Sequence, residues 1–134
     1  SSEAYGLGED GQQIVRETLA NYAWYGEDDF TGGTHPVGKD GKNRANAFGF
    51  YDMHGSVCEW CSDWYGEGYY QSCKGTEGAS VENPRGSDAG ESRMLRGGSW
   101  LNESAACRSA FRGYGHPTER IGLVGFRIVA PVAP

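Results

Sequence analysis

The sequence predicts a single α+β domain with small, partly antiparallel sheets and much irregular chain. The chain has 134 residues, which is enough for one modest hydrophobic core. Only 37% of the residues are hydrophobic, and 22 residues are Gly. Gly supplies turns and close backbone contacts but is unfavourable inside helices. The 4 Trp and 8 Tyr can bury a large area with few side chains. We therefore expect loops held together by aromatic residues, and we do not expect a helical bundle.

One short helix is predicted near the start, in the stretch DGQQIVRETLANY. Ile14, Val15 and Leu19 would share one side of it, and Asp10 would cap it. The segment 66–92 lacks periodicity, which is typical of a loop that is functional or is held by other parts of the fold. The strand candidates are four runs bounded by Gly, Pro or polar turns, namely 56–65, 92–98, 106–112 and 124–130.

Charge and hydropathy exclude two classes of partner. The net charge is −6, from 18 acidic and 12 basic residues, and no basic stripe is present. Nucleic-acid binding through phosphates requires clustered Lys and Arg, so we expect no nucleic-acid partner. No apolar run approaches the length needed to cross a bilayer, so we expect no membrane insertion.

Four cysteines are present: Cys58 and Cys61, which form the motif CEWC, Cys73 and Cys107. A zinc site would need a second close pair of ligands, and a thioredoxin-like site would need a βαβ unit. Neither is evident in the sequence. This favours buried thiols or one disulfide, and the pairing stays open.

Five motifs, in order, resemble the formylglycine-generating-enzyme-like (sulfatase-modifying-factor) family. They are PVGKDGKNRANAFGFYDMHGSVCEWCSDWY (36–65), NPRGS (83–87), RMLRGGSW (93–100), CRSAFR (107–112) and GFRIV (125–129). The resemblance covers roughly residues 19–130. It implies a variant of the C-type lectin fold, with residues 1–134 forming one ligand-binding domain.

The resemblance also raises an oxidase interpretation. Aerobic members of the family oxidise a substrate cysteine with two cysteines that bind copper, and the corresponding positions here are Asn102 and Cys107. One thiolate and an amide make a poor site for soft Cu(I). We therefore expect that the chain is not an enzyme. A formylglycine-generating-like copper oxidase relative, or a calcium-stabilised lectin-like module with a fixed partner, remains as the alternative.

Family members often hold calcium, and the resemblance implies two structural sites. The first would use the side chains of Asn21 and Asp28 with the carbonyls of Tyr22 and Phe30. The second would use the side chains of Asp52 and Glu59 with the carbonyls of Gly55 and Val57. Both sets offer the oxygen ligands that a hard cation requires. The alternative for the first is a solvated acidic turn at 27–29, and the second departs from the family pattern at Ser56 and Cys58.

The segment 101–124 is most similar to the variable region of proteins from diversity-generating retroelements, such as those of archaeal viruses. Their templates are rich in Asn codons, whose adenines are mutated. Changing the two adenines of such a codon cannot give Lys, Gln, Glu, Met or Trp, and none of these stands at the Asn-type positions. The residues predicted to bind ligand are Leu101, Asn102, Phe111, Gly113, Tyr114, Gly115, His116, Thr118, Ile121, Gly122 and Leu123.

The resemblance therefore implies a non-enzymatic, ligand-binding variable protein whose partner is a protein or a cell-surface ligand. A frame would fix the backbone while exposed side chains vary at little cost in stability. The frame residues are Trp100, Arg108, Arg112, Arg120, Phe126 and Arg127. The alternative is ordinary loop variation in a domain with another role. If the variable-region interpretation is correct, 111–116 and 121–123 should face solvent.

Overall fold

The computed structural model describes residues 5–8, 10–26, 32–38, 44–74 and 81–130. Its strands are β1 (Ala23–Trp24), β2 (His54–Gly55), β3 (Cys58–Trp64), β4 (Arg93–Arg96), β5 (Gly113–Gly115) and β6 (Val124–Gly125). Its helices are α1 (Tyr69–Ser72) and two 3-10 turns, Leu19–Asn21 and Ser104–Cys107. Most of the described chain is irregular, as predicted. None of the helices in these ranges has the length and apolar character needed to cross a membrane.

The main sheet has four strands in the order β5-β4-β3-β6. β3 and β4 are antiparallel, with Trp60 opposite Leu95, and β5 continues the antiparallel pairing beyond β4. β6 is parallel to β3, with Cys58 opposite Val124. β1 and β2 form a separate short parallel pair. The sheets are therefore small and mixed, and the segment 116–123 must cross the sheet from its β5 edge to its β6 edge.

The largest buried cluster lies outside the main sheet. Tyr5, Ile14, Leu19 and Cys107 are each at most 1% exposed, and Tyr22 and Ala23 complete the cluster. Cys107 belongs to the turn after β4, so this core joins the beginning of the chain to the segment that precedes β5. Its burial fixes one end of the predicted variable region.

The predicted amino-terminal helix is wrong. The N–H of Ile14 donates to the carbonyl of Gly6 at 2.9 Å, and the N–H of Tyr5 donates to the carbonyl of Ile14 at 3.3 Å. These bonds hold Ile14 in extended pairing, so only Leu19–Asn21 forms a helical turn. Ile14 and Leu19 are buried as expected, but Val15 is 38% exposed.

Two of the four predicted strands are confirmed, and the other two need correction. The runs 56–65 and 92–98 contain β3 and β4, but 106–112 contains turns in place of a strand. The N–H of Ala106 donates to the carbonyl of Glu103, and the N–H of Phe111 donates to the carbonyl of Arg108. These local bonds close turns, so the strand begins only at β5. The run 124–130 pairs over Val124–Gly125 alone.

Candidate functional site

The carboxyl-terminal motif GFRIV is attached to the sheet by one ion pair. The Nε of Arg127 donates to the two carboxylate oxygens of Glu59 at 2.8 and 2.6 Å, and its Nη2 donates to the carbonyls of Tyr51 and Asp52. The hydrogen bond to Glu59 raises the pKa of Arg127 above its ordinary value, so the guanidinium stays charged. Arg127 is thus a frame residue, as predicted. Phe126, predicted with it, is 71% exposed.

The motif GGSW packs its backbone against the turn that ends at Cys107. Gly98 has φ +74°, and a Cβ on it would lie 2.7 Å from the Sγ of Cys107 and 3.0 Å from the carbonyl of Ala106. The N–H of Trp100 donates to the carbonyl of Ser56 at 2.8 Å. Only Gly fits at 98, because it tolerates this φ and leaves room for the sulfur.

Two predicted ligand-binding residues, Leu101 and Asn102, lie within this framework. The Oδ1 of Asn102 accepts hydrogen bonds from the N–H and the hydroxyl of Ser99, both at 2.9 Å, and from the thiol of Cys58 at 3.8 Å. The carbonyl of Asn102 accepts from the N–H of Gly26. Leu101 and Asn102 are half-buried. These contacts give Asn102 a structural part, and a role in ligand binding stays a prediction.

The strand β5 forms the first exposed part of the predicted surface. Tyr114 is 59% exposed, and its ring stacks on Tyr65 with the centroids 4.1 Å apart. Gly115 is buried, and a Cβ there would lie 3.1 Å from the ring of Trp60 and 2.8 Å from a carboxylate oxygen of Glu119. Phe111 and Gly113 are half-buried. The edge therefore presents Tyr114 and has little room at 115.

The second exposed part is the segment 116–123, which we call the crossing segment. His116, Thr118, Ile121 and Gly122 are exposed, and Ile121 is 50% exposed. The Nδ1 of His116 lies 2.8 Å from the hydroxyl of Thr118. The carbonyl of Leu123 accepts a hydrogen bond from the N–H of Cys58 at 2.8 Å, which ties the end of the segment to β3. Of the stretches expected to face solvent, Gly115 alone is buried.

Two residues of the first predicted calcium site, Asp28 and Phe30, lie outside the described residues. Asn21 is exposed and Tyr22 is buried at the end of the first 3-10 turn. The carbonyl of Asn21 accepts the N–H of Arg44 at 2.7 Å. Calcium at this site stays a prediction.

In the second predicted calcium site, one of the two carboxylates, that of Glu59, already holds a cation. Glu59 holds Arg127 with both oxygens, and the carbonyl of Asp52 accepts from the same guanidinium. Gly55 is buried and Val57 is half-buried. Within the described ranges no group of three or more His, Cys, Asp or Glu side chains is arranged to hold a metal. Calcium at this site also stays a prediction.

Sequence reasoning missed the position of Cys58. All four cysteines are free thiols, and Cys58 and Cys107 both neighbour Gly98. The backbone of Gly98 hydrogen-bonds to the Cys58 sulfur, yet burial dominates and raises the pKa of that thiol. Burial, and then the nearby Cys58, raises the pKa of Cys107 to about 12. The two thiols are far apart in the sequence, so only the pairing of β3 beside the GGSW motif could have indicated their proximity.

Comparison with known proteins agrees with this geometry. The Sulfatase-modifying factor enzyme 1-like domain family matches residues 2–132. The solved structure of variable protein 1 from Treponema denticola is similar with a TM-score of 0.68 and 33% identity, over 87% of this chain and 38% of that one. The structure of PvdO from Pseudomonas aeruginosa is similar with a TM-score of 0.61 and 30% identity, over 89% and 41%. The predicted C-type lectin fold and the resemblance to a variable protein are confirmed.

Curated relatives include enzymes. The formylglycine-generating enzyme of Streptomyces coelicolor is 39% identical over 63% of this chain and 26% of its own length, and that of Mus musculus is 35% identical over 81% and 27%. The serine/threonine-protein kinase pkn1 of Chlamydia pneumoniae is 39% identical over 61% of this chain and 13% of its own length. The chain thus spans about a quarter or less of these relatives.

These similarities correct one prediction. The expectation that the chain is not an enzyme is wrong, because formylglycine-generating enzymes are among its relatives at 33–39% identity. It rested on the presence of a single thiol at the two positions 102 and 107. By a match that covers almost all of its length, the chain belongs to the sulfatase-modifying factor enzyme 1-like family.

Proposed function

We propose that this chain is a ligand-binding domain that displays a variable surface on a C-type lectin frame. The observation that carries the proposal is the exposure of the crossing segment and of Tyr114, while the chain on both sides is fixed by β5 and β6. Side chains on such a surface can change at little cost in stability. Tyr, His and small residues there resemble the composition of a paratope, where rigid rings supply contact area. The ligand would be a protein or a cell-surface molecule.

The first test is genetic. We expect a near-copy of the DNA for residues 101–123 beside a reverse transcriptase gene, differing from the coding copy only at adenines. We also expect natural copies to differ at His116, Ile121 and Gly122 and to agree at Trp100 and Arg127. Differences spread evenly over the two groups would argue against a diversified surface.

The second test asks whether the surface can acquire a ligand. One library randomises Tyr114, His116, Thr118, Ile121 and Gly122, and a matched library randomises five buried residues outside the predicted ligand-binding set, Met94, Leu95, Ser99, Ser104 and Cys107. Both are displayed and selected against one immobilised protein, such as lysozyme. The first library should keep most members folded and yield binders. Equal loss of folded members from both would contradict the proposal.

We infer a second candidate, an oxidase relative acting on a substrate cysteine, from the two thiols beside Gly98. Asn102 does not suit copper, because its Oδ1 already accepts three hydrogen bonds and an amide oxygen is a poor ligand for Cu(I). Cys58 supplies the sulfur that this position lacks, so a copper site would fit only through Cys58 and Cys107. A bound copper ion would supply the redox chemistry for thiol oxidation.

Copper titration tests this second candidate. Stoichiometric Cu(I) binding, followed by oxidation of a cysteine-containing peptide in air, should be lost in Cys58→Ser and in Cys107→Ser. Cys73→Ser is the control, because Cys73 lies at the end of α1 and is not among the atoms nearest to Gly98. Binding that survives both substitutions would exclude this site.

A further inference from the structure

A cavity of about 600 Å³ opens beside β5, outside the crossing segment. Asp63 at the end of β3, Tyr69 and Tyr70 of α1, Arg85 and Arg112 line it. The hydroxyl of Tyr69 accepts the N–H of Gly86 at 2.9 Å, which fixes the loop on one side of the cavity. The cavity therefore combines two cations, one carboxylate and two aromatic rings.

Arg112 is a half-buried residue of this cavity, and most of its hydrogen-bonding capacity is unused. Its guanidinium carbon lies 4.0 Å from the ring centroid of Tyr70 and 5.6 Å from that of Tyr65. Its Nη2 contacts only the thioether of Met94 at 3.5 Å, and its Nε is buried without a hydrogen-bond partner. A thioether is a weak acceptor, whereas a guanidinium has five donors.

No carboxylate of the described residues lies within ion-pair distance of Arg112. Leaving a cation partly desolvated without an anion is unfavourable, and stacking between tyrosine rings offsets only part of that cost. A planar carboxylate would match the fork of donors. Arg85, which is exposed at the same cavity, would add a second positive charge.

We propose that this cavity binds a carboxylate carried by a polypeptide ligand, with Arg112 as the principal contact. Asp63 favours a polypeptide over a simple anion, because its carboxylate can accept a peptide N–H beside the bound acid while repelling a dianion. The exposed ring of Tyr70 offers a flat contact for the rest of the chain. Arg112 lies over the ring of Tyr65, on which Tyr114 stacks, so the principal contact of the cavity is next to the proposed variable surface.

This inference rests on the proposed ligand-binding role and names the chemistry at one edge of that surface. Arg112 and Tyr65 lie outside the predicted variable positions. The cavity would therefore supply a constant contact for an acidic group of the ligand. The variable side chains of the crossing segment would supply the contacts that select one ligand over another.

The test uses a blocked Gly-Glu-Gly tripeptide, acetylated and amidated, titrated into the protein. The NMR resonance of the Gly86 backbone N–H, a cavity residue present in every variant, is followed throughout, together with that of the Arg112 Nε–H where Arg112 is present. The expected result is a saturable shift with an affinity on the order of 1 mM, since few charge-assisted contacts are made. The matched Gly-Gln-Gly tripeptide should bind about tenfold more weakly. A triglycine with a free carboxyl terminus shows whether the cavity binds a terminal carboxylate as tightly as the side-chain carboxylate of Glu.

The variants are Arg112→Gln, which should weaken binding of the Glu tripeptide about tenfold, and Arg85→Gln, which should weaken it less. Arg85 is exposed, so its variant tests the cavity even if Arg112→Gln does not fold. Arg108→Gln is the control, because Arg108 donates to the carbonyl of Ala105 and does not line the cavity.

Equal binding of the Glu and Gln tripeptides, an equal loss in the Arg108 variant, or tighter binding of inorganic phosphate would overturn the assignment. The tripeptide is not the natural ligand. Its failure would leave the display proposal standing, and a failed search for the template DNA would leave the tripeptide result standing.

Discussion

Residues 97–107 and residues 113–123 belong to one continuous stretch of chain, yet they occupy opposite environments. In the first, Gly98, Ser99 and Cys107 are buried, and the side chain of Asn102 is held by hydrogen bonds. In the second, most side chains face solvent, and regular backbone pairing holds only β5 and the residues around β6. The predicted variable region, 101–124, includes residues from both stretches, whereas 97–100 belong to the predicted frame.

The difference shows that tolerance to substitution depends on which atoms a side chain would meet. A Cβ on Gly98 would meet a sulfur and a main-chain carbonyl, whereas a Cβ on Gly122 would meet nothing within 4 Å. Gly115 is intermediate, since it would meet one ring and the flexible end of Glu119. The proposed display surface therefore excludes position 98, and it has less room for a side chain at position 115 than at position 122.

The largest expected effect is in the buried stretch. Gly98→Ala should lower the free energy of unfolding by about 3 kcal/mol, because it combines left-handed backbone strain with overpacking against Cys107. Gly11→Ala is the matched control: Gly11 has the same φ of +74° and nothing within 4 Å. It should cost only about 1 kcal/mol. Urea unfolding measures both.

Adding Cys107→Ala to Gly98→Ala sharpens this test. Because the sulfur is the atom that the new methyl group would meet, Cys107→Ala should cost less stability in the protein that already carries Gly98→Ala than in the native protein. If the two Gly variants lose equal stability, the contact with Cys107 contributes nothing and the contrast between the two stretches fails.

How much of this contrast the sequence could predict differs from residue to residue. The frame role of Arg127 and the strands β3 and β4 follow from local motifs, because GFRIV and RMLRGG carry their own pattern. The exposure of Phe126 does not, since it depends on whether another segment covers the ring. The strand predicted over 106–112 failed because Ala and Ser tolerate both turns and strands, and local hydrogen bonds decided for turns.

The proximity of Cys58 to Cys107 was equally inaccessible, because strand register is a tertiary property. The surroundings of Arg112 depend on Tyr65 and Tyr70, over which its guanidinium lies, and on Tyr114, which stacks on Tyr65. These three residues come from separate parts of the chain. In the sequence these are ordinary aromatic residues. The exposure of the crossing segment was better predicted. This segment has no sequence periodicity although it lies between the recognisable motifs RMLRGGSW and GFRIV, which indicates that few side chains in it are needed for packing.

A smaller change in the free energy of unfolding is expected in the exposed stretch. Asn is the substitution to test there, because the templates of variable regions are rich in Asn codons. Gly115→Asn should cost about 1–2 kcal/mol through the ring of Trp60. Gly122→Asn should change the free energy of unfolding by less than about 0.5 kcal/mol. Thermal unfolding of the two variants, made in parallel, measures the difference. Equal destabilisation would show that the crossing segment is constrained throughout and could not serve as a variable surface.

The smallest expected effect is confined to acid and concerns the link between the buried stretch and β2. The Nδ1 of buried His54 lies 2.8 Å from the carbonyl of Cys107, to which it donates, and burial lowers the pKa of His54 below 6.5. As pH falls below 6.5 the unfolded chain binds a proton that the folded chain does not, so the free energy of unfolding should decrease. His54→Asn is the comparison, because its amide N–H can reach the same carbonyl without titrating. Urea unfolding at about pH 7.5 and about pH 5.5 measures the free energy of unfolding of both proteins. Between these two pH values the native protein should lose more of this free energy than the variant. Equal losses would mean that protonation of His54 does not affect the stability of the buried stretch.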